Sequence, residues 1–82
     1  MGIKETLLFG LKPALTQQIK GDLASGRLKQ PVDLDAISKS VWKALQANIE
    51  TGGAILLFRI KKEEITNLLR EVFTDLKVEM MK

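Results

Sequence analysis

Histidine, cysteine and tyrosine are all absent from this sequence of 82 residues. Histidine is the commonest general base because its pKa lies near neutrality, and cysteine supplies thiolates and zinc ligands. Without them we expect a protein that is not an enzyme and that uses no cofactor and no metal. The lack of cysteine also excludes a disulfide framework and favours a reducing, cytoplasmic location.

Long apolar runs are absent as well. The longest uninterrupted one covers residues 54–58, whereas a membrane-spanning helix needs about 18 apolar residues. The first twenty residues contain Glu5, Gly10 and Pro13 and no apolar stretch typical of a secretory signal. Because apolar residues still make up 45% of the chain and no long linker divides it, we expect residues 1–82 to fold as one helical domain outside the membrane.

The first third of the sequence predicts two short helices. Apolar residues recur at helical spacing up to Leu11, but Gly10 and Pro13 indicate that this helix stops or kinks there. Pro13 suits the first turn of a second helix, which Gly26 then ends in a left-handed conformation. Residues 26–31 follow as a basic loop.

The middle of the sequence predicts one helix over residues 33–51. Asp33 is a good N-cap, and apolar residues from Leu34 to Ile49 follow at spacings of three and four. Gly52 and Gly53 are expected to end this helix.

The segment after Gly53 has two interpretations. Apolar residues keep helical spacing with one interruption, which favours one long helix over residues 54–80 and an all-α small bundle of three to four helices with a long C-terminal helix. The alternative is an α+β fold, in which residues 54–60 form a strand that pairs with its copy in a dimer, as in ribbon-helix-helix repressors. Arg59 would then face the bases.

Two further patterns suggest chemistry only weakly. Ser38 and Ser40 each stand beside Lys39, but adjacent residues on a helix do not face each other, which argues against a serine-lysine dyad. An acidic stripe is expected on the last helix, where three carboxylates repeat every four residues, and a solvated face is the simpler interpretation. These carboxylates belong to Glu71, Asp75 and Glu79.

Charge is divided unevenly along the chain. Residues 1–62 hold ten basic and five acidic side chains, whereas residues 63–82 hold three basic and five acidic ones. Lysines one helical turn apart, a basic loop and a neighbouring indole together suggest phosphate contacts and base stacking. The predicted nucleic-acid contacts are Arg27, Lys29, Lys39, Trp42 and Lys43.

Two functional hypotheses follow from these surfaces. The first is a small non-enzymatic helical subunit of a larger nucleoprotein complex that contacts single-stranded nucleic acid or RNA. The second is a protein-binding regulator or inhibitor, antitoxin-like or a phage or mobile-element accessory protein, which docks its C-terminal helix in a partner's groove or against a second copy of itself. Its predicted anchors are Ile65, Leu69, Val72 and Phe73.

Residues 19–31, in the sequence IKGDLASGRLKQP, resemble the opening of winged-helix repressors of the gluconate-operon type. In those proteins a helix runs into a Ser-Gly-Arg-Leu turn and a helix-turn-helix follows. Because residues 33–51 are predicted to form one helix with no internal turn, the resemblance stops at these thirteen residues and assigns no family.

Overall fold

The computed structural model describes residues 2–81, apart from the side chain of Thr51. Three quarters of this range is helical and no part of it forms a strand, so the predicted all-α class is confirmed. The four helices are α1 (Ile3–Ser25), α2 (Leu34–Ala47), α3 (Ile49–Leu57) and α4 (Lys62–Asp75).

The apolar face of α4 forms the centre of the core. Ile65, Leu69, Val72 and Phe73 are completely buried, and both α1 and α2 lie against this helix. These four residues repeat at spacings of three and four, so that they share one side of α4. Leu68 of α4 is buried too, and the remaining buried apolar residues belong to α1, to α3 and to the segments between and after the helices: Leu15, Ile19, Ile55, Val32, Ile60 and Val78. The apolar residues of α2 are partly buried against this core.

The first helix continues through Pro13, so the predicted division into two short helices is wrong, whereas the kink expected as the alternative stays a prediction. Proline removes one backbone donor and its ring crowds the carbonyl four residues earlier, that of Phe9. Both Phe9 and Pro13 are exposed, which lets water reach this part of the backbone and lets the helix adjust on its outer side. The apolar face of α1 stays continuous beneath, where Leu15 and Ile19 are buried.

Two ion pairs fix the direction of α1 relative to α4. Lys4, near the start of α1, lies 2.7 Å from Glu64, near the start of α4. Lys12 lies 3.0 Å from Asp75, the last residue of α4. Since the order of the pairs is the same along both helices, the first half of α1 runs parallel to α4.

The corner between α2 and α3 falls at Asn48, which ends the predicted 33–51 helix early. The backbone of Asn48 is extended, and its side-chain oxygen accepts a hydrogen bond from the Glu50 N–H at 3.0 Å. Gly52 and Gly53 do not end a helix as predicted but lie inside α3. A Cβ on Gly52 would lie only 2.6 Å from the Gln46 carbonyl oxygen, so glycine allows α3 to fold back tightly on α2.

The long helix predicted over residues 54–80 is interrupted between Leu57 and Lys62, and the strand predicted as the alternative is wrong because its first half is α-helical. Arg59 has a left-handed backbone with φ of 54°. The Ile60 N–H donates to the Ile55 carbonyl at 3.0 Å, and both side chains are buried. This is a Schellman motif, which ends a helix and directs the chain away from its axis.

The same motif ends α4, where Lys77 has φ of 58° and the Val78 N–H donates to the Phe73 carbonyl at 2.8 Å. Val78 is buried and begins a short extended segment. That segment forms a parallel bridge with the α1–α2 linker, in which Val32 donates to the Glu79 carbonyl at 2.8 Å. The last helix is therefore shorter than predicted, and the residues after it complete the core.

The close approach at Gly52 makes a paired prediction possible. We expect Gly52→Ala to lower the free energy of unfolding by about 1–3 kcal/mol, because the new methyl group would meet backbone carbonyls that cannot move freely. Gly53→Ala, whose Cβ would meet nothing within 4 Å, should raise it by about 0.5–1 kcal/mol. Urea unfolding followed by circular dichroism measures both, and equal effects of the two substitutions would contradict the tight corner.

The left-handed conformation of Lys77 generates a second prediction. A residue with a side chain pays about 1–2 kcal/mol to adopt this conformation. Glycine avoids this cost, but part of the gain is lost because glycine has more backbone entropy in the unfolded state. We therefore expect Lys77→Gly to raise the free energy of unfolding by about 0.5–1 kcal/mol. Lys20→Gly, in the interior of α1, is the matched control and should lower it by about 1 kcal/mol. Destabilisation by Lys77→Gly would argue against the Schellman end of α4.

Candidate nucleic-acid interface

The loop between α1 and α2 presents Arg27 and Lys29 to solvent. Gly26, with φ of 81°, ends α1 and turns the chain into this loop. Leu28 lies between the two basic residues and is half-buried, lining a small cavity with Ile19 and other residues of α1 and α2. Because Leu28 holds the loop inward, its basic neighbours on either side point outward.

The exposed face of α2 carries Lys39 and Lys43, one helical turn apart. Asp33 caps this helix by accepting a hydrogen bond from the Ala36 N–H at 3.2 Å. Ser40, which lies between the two lysines in sequence, lines the same cavity as Leu28. Leu28 of the loop and Ser40 of α2 therefore line one cavity. We call the four exposed basic residues of the loop and the helix together the α2 basic surface: Arg27, Lys29, Lys39 and Lys43.

Trp42 lies at the border of this surface and is half-buried against the core. Because successive residues of a helix are 100° apart, Trp42 lies about 60° from Lys39 around the α2 axis. Ser40 lies on the other side of Lys39. Trp42 therefore packs against the core and still keeps part of its side chain exposed to solvent.

None of the residues of the α2 basic surface forms an ion pair within residues 2–81. Three other lysines of the chain are paired instead, two between α1 and α4 and one between Lys62 and Asp35 at 2.8 Å. The hydrogen bond from Lys62, and to a lesser extent the charge of Lys39, lowers the pKa of the Asp35 carboxyl. Within residues 2–81, the four cations of the α2 basic surface are therefore not bonded to a carboxylate.

The uneven division of charge along the sequence is partly cancelled in the fold. The acidic residues of α4 lie beside lysines of α1, so that Glu64 and Asp75 are neutralised by Lys4 and Lys12. The hydrogen bond to Asp75 raises the pKa of Lys12. These ion pairs join the basic and the acidic parts of the sequence instead of leaving them as two separate surfaces.

The predicted partner-binding residues do not form a surface. Ile65, Leu69, Val72 and Phe73 are all 0% exposed and lie in the core of the chain itself. A partner cannot reach them without unfolding the domain, so the prediction that they anchor a docked helix is corrected. Amphipathic spacing alone does not separate a helix that packs internally from one that binds a partner, because both bury the same face.

The structure also changes the interpretation of Ser38 and of the predicted acidic stripe on the last helix. Ser38 is completely buried and its hydroxyl donates to the Leu34 carbonyl at 2.6 Å, so it stabilises α2 locally. Glu79 lies beyond the end of α4, so the predicted acidic stripe loses its third member. Within residues 2–81, no three acidic side chains lie close enough together to hold a metal ion.

A surface that the sequence analysis missed lies on α3. Ile49, Leu56 and Leu57 are all more than 60% exposed. Ile49 was expected on the apolar side of the 33–51 helix, and the two leucines were expected in the long last helix. The signal was present in the sequence, since a short helix that is apolar on all sides cannot bury every face in so small a domain.

No protein-family model, no curated protein and no solved structure matches this chain. The described residues include no helix that is both long and apolar enough to cross a membrane. Function must therefore be argued from the surfaces themselves.

The Lys4–Glu64 pair predicts a dependence of stability on pH. The hydrogen bond from Lys4 lowers the pKa of the Glu64 carboxyl, so the pair stabilises the fold above the unfolded-chain pKa of about 4.3 and loses this effect as the pH falls through the lower folded-state pKa. We expect Lys4→Gln to cost at most about 1 kcal/mol at neutral pH, because the pair is partly exposed, and nothing at about pH 2.

Urea unfolding at several pH values tests this difference. Lys20→Gln is the control, since Lys20 is exposed and makes no ion pair among the described residues. A loss in Lys4→Gln that stays constant into the acid range would contradict the role of the pair.

Proposed function

We propose that this chain is a small non-enzymatic helical subunit of a larger nucleoprotein assembly, and that it contacts nucleic acid through the α2 basic surface. The observation that carries the proposal is the contrast between two kinds of lysine. Lys4 and Lys12 on α1 and Lys62 at the start of α4 are bonded to carboxylates, whereas Arg27, Lys29, Lys39 and Lys43 have no such partner within residues 2–81.

Unpaired, exposed cations favour a polyanionic ligand because phosphates replace the counterions that such a surface attracts. The two elements of the surface are held firmly, the loop by the inward side chain of Leu28 and the lysines by the capped helix α2. A ligand therefore meets a backbone that is already ordered, and the ordering cost of binding is confined to the long basic side chains.

Single-stranded nucleic acid or RNA suits the site better than duplex DNA, because Trp42 borders the lysines. A half-exposed indole offers a face on which one base can stack, and bases are available for stacking only when they are unpaired. The surface contains no set of side chains arranged to read base edges, so we propose binding through backbone and stacking with little sequence preference. A cytoplasmic location, in keeping with the lack of cysteine, is part of the proposal.

In the protein-binding alternative, the contact surface can no longer be the apolar side of α4. With the apolar side of α4 in the core, a regulator that docks through this helix would lack its anchors. The exposed apolar residues of α3 are instead the candidate surface for a protein contact.

Binding of a fluorescent single-stranded oligonucleotide at several salt concentrations tests the proposal. Four phosphate contacts predict that log K falls against log salt with a slope of about −3, and replacing Lys39 and Lys43 by glutamine should make the slope shallower by about 1–2 and weaken binding at low salt by at least about tenfold. Emission from Trp42, the only tryptophan, should be quenched when a base stacks on it.

The matched control replaces Lys61 and Lys77 by glutamine, because both are exposed lysines in the turns that flank α4. This variant loses the same charge from another part of the surface. Absence of binding at low salt, or an equal loss in the control variant, would refute the proposal.

A further inference from the structure

The outer side of α3 is an apolar surface that no other part of residues 2–81 covers. Ile49 is 93% exposed, Leu57 74% and Leu56 65%. Together with Gly53 they lie on one side of the helix, because their positions repeat at spacings of four, three and one. We call these four residues the α3 apolar face. A cluster of large exposed apolar side chains of this kind marks an interaction site.

Opposite charges stand at the two ends of this face. Glu50 lies in the first turn of α3 and Arg59 two residues after its end, and no charged residue lies between them in sequence. Both are exposed, and neither forms an ion pair among residues 2–81. The surface is thus neutral overall, with an acidic end and a basic end.

This distribution of charge is complementary to a second copy of the same surface. When two α3 helices meet antiparallel, Glu50 of each copy lies beside Arg59 of the other, and the helix dipoles also oppose each other. A parallel pair would instead set like charges together. A two-fold axis through the middle of the face generates the antiparallel arrangement, which is the commonest symmetry of homodimers.

The shape of the face agrees with the same register. Gly53 and Leu56 both lie within α3, so an antiparallel pair centred between these two residues sets Gly53 level with Leu56 of the other copy. A Cβ built on Gly53 would meet nothing within 4 Å, which leaves open space above the helix backbone. Each copy therefore offers a gap where the other offers a leucine side chain.

We infer that the chain self-associates as a two-fold symmetric dimer through antiparallel α3 apolar faces, with two Glu50–Arg59 ion pairs at the rim. The inference does not rest on the nucleic-acid contact, because it uses a different helix and different residues. A nine-residue helix is only about 13 Å long, so the interface lies at the small end of the known range and the dissociation constant should be on the order of 10–100 μM.

Analytical ultracentrifugation of the full chain, from about 5 to 500 μM, measures this dissociation constant. Leu56→Lys should raise it at least about tenfold, because it places a charge in the apolar contact of both copies. Phe9→Lys is the matched control, since Phe9 is 77% exposed on α1, outside the face, and this variant should leave the constant unchanged. If Leu56→Lys fails to fold by circular dichroism, Leu57→Lys gives the same measurement.

A charge exchange tests the antiparallel register itself. Glu50→Arg alone and Arg59→Glu alone should each raise the dissociation constant about five- to tenfold, because each removes both ion pairs and sets like charges together. The double variant, which restores opposite charges across the interface, should return it to within about threefold of the wild type.

Three results would overturn the inference. The first is a wild-type chain that stays monomeric throughout the concentration range, including the case in which lipid vesicles or another protein bind the face instead. The second is an equal change of association in the α3 and α1 variants, and the third is a double variant that associates more weakly than either single variant.

Discussion

The packing of α1 and α2 against the buried apolar side of α4 holds the domain together. Phe73 and its neighbours are inaccessible to solvent, and α1 and α2 lie on this helix directly. The turn before α4 contributes Ile60 and the turn after it contributes Val78. A domain of this size can bury only a limited area, so burying one helix face completely leaves other apolar side chains outside.

The ion pairs between α1 and α4 explain which charges stay available. Exposed pairs of this kind contribute little to stability, but they determine which charged side chains are neutralised by a neighbour. Lys4 and Lys12 are neutralised beside the acidic side of α4, whereas the lysines of α2 face solvent with no carboxylate bonded to them among residues 2–81. The distribution of free charge therefore follows from how the helices pack rather than from the order of charges along the chain.

The sequence allowed the class of fold to be predicted, and also the exposure of Lys39 and Lys43, because both depend on local periodicity. The ends of the helices were predicted less well. The break at residues 58–61 depends on Arg59 adopting a left-handed conformation that burial of Ile60 stabilises, and no glycine marks it. Glu63 and Glu64 after it were a usable signal, since acidic residues favour a first turn and the Lys61 N–H donates to Glu64.

For the candidate site residues, too, some predictions succeeded and others failed. Residues chosen for their charge remained on the surface, since a charge is rarely buried. Residues chosen as apolar anchors on α4 went into the core, and the exposed apolar surface came instead from α3. Which of two apolar helices is covered depends on long-range geometry, here on the close approach of Gly52 to the end of α2, and periodicity carries no information about it.

The bridge between Val32 and the segment after α4 has a consequence for the order in which the chain can fold. Val32 lies in the first half of the sequence, yet its N–H is satisfied by the Glu79 carbonyl and its own carbonyl accepts from Met81. During synthesis α1 and α2 leave the ribosome well before those residues exist. The backbone groups of Val32 can be satisfied in this way only after α4 and the segment that follows it have been made, so this part of the native fold forms only after residue 81 has been translated.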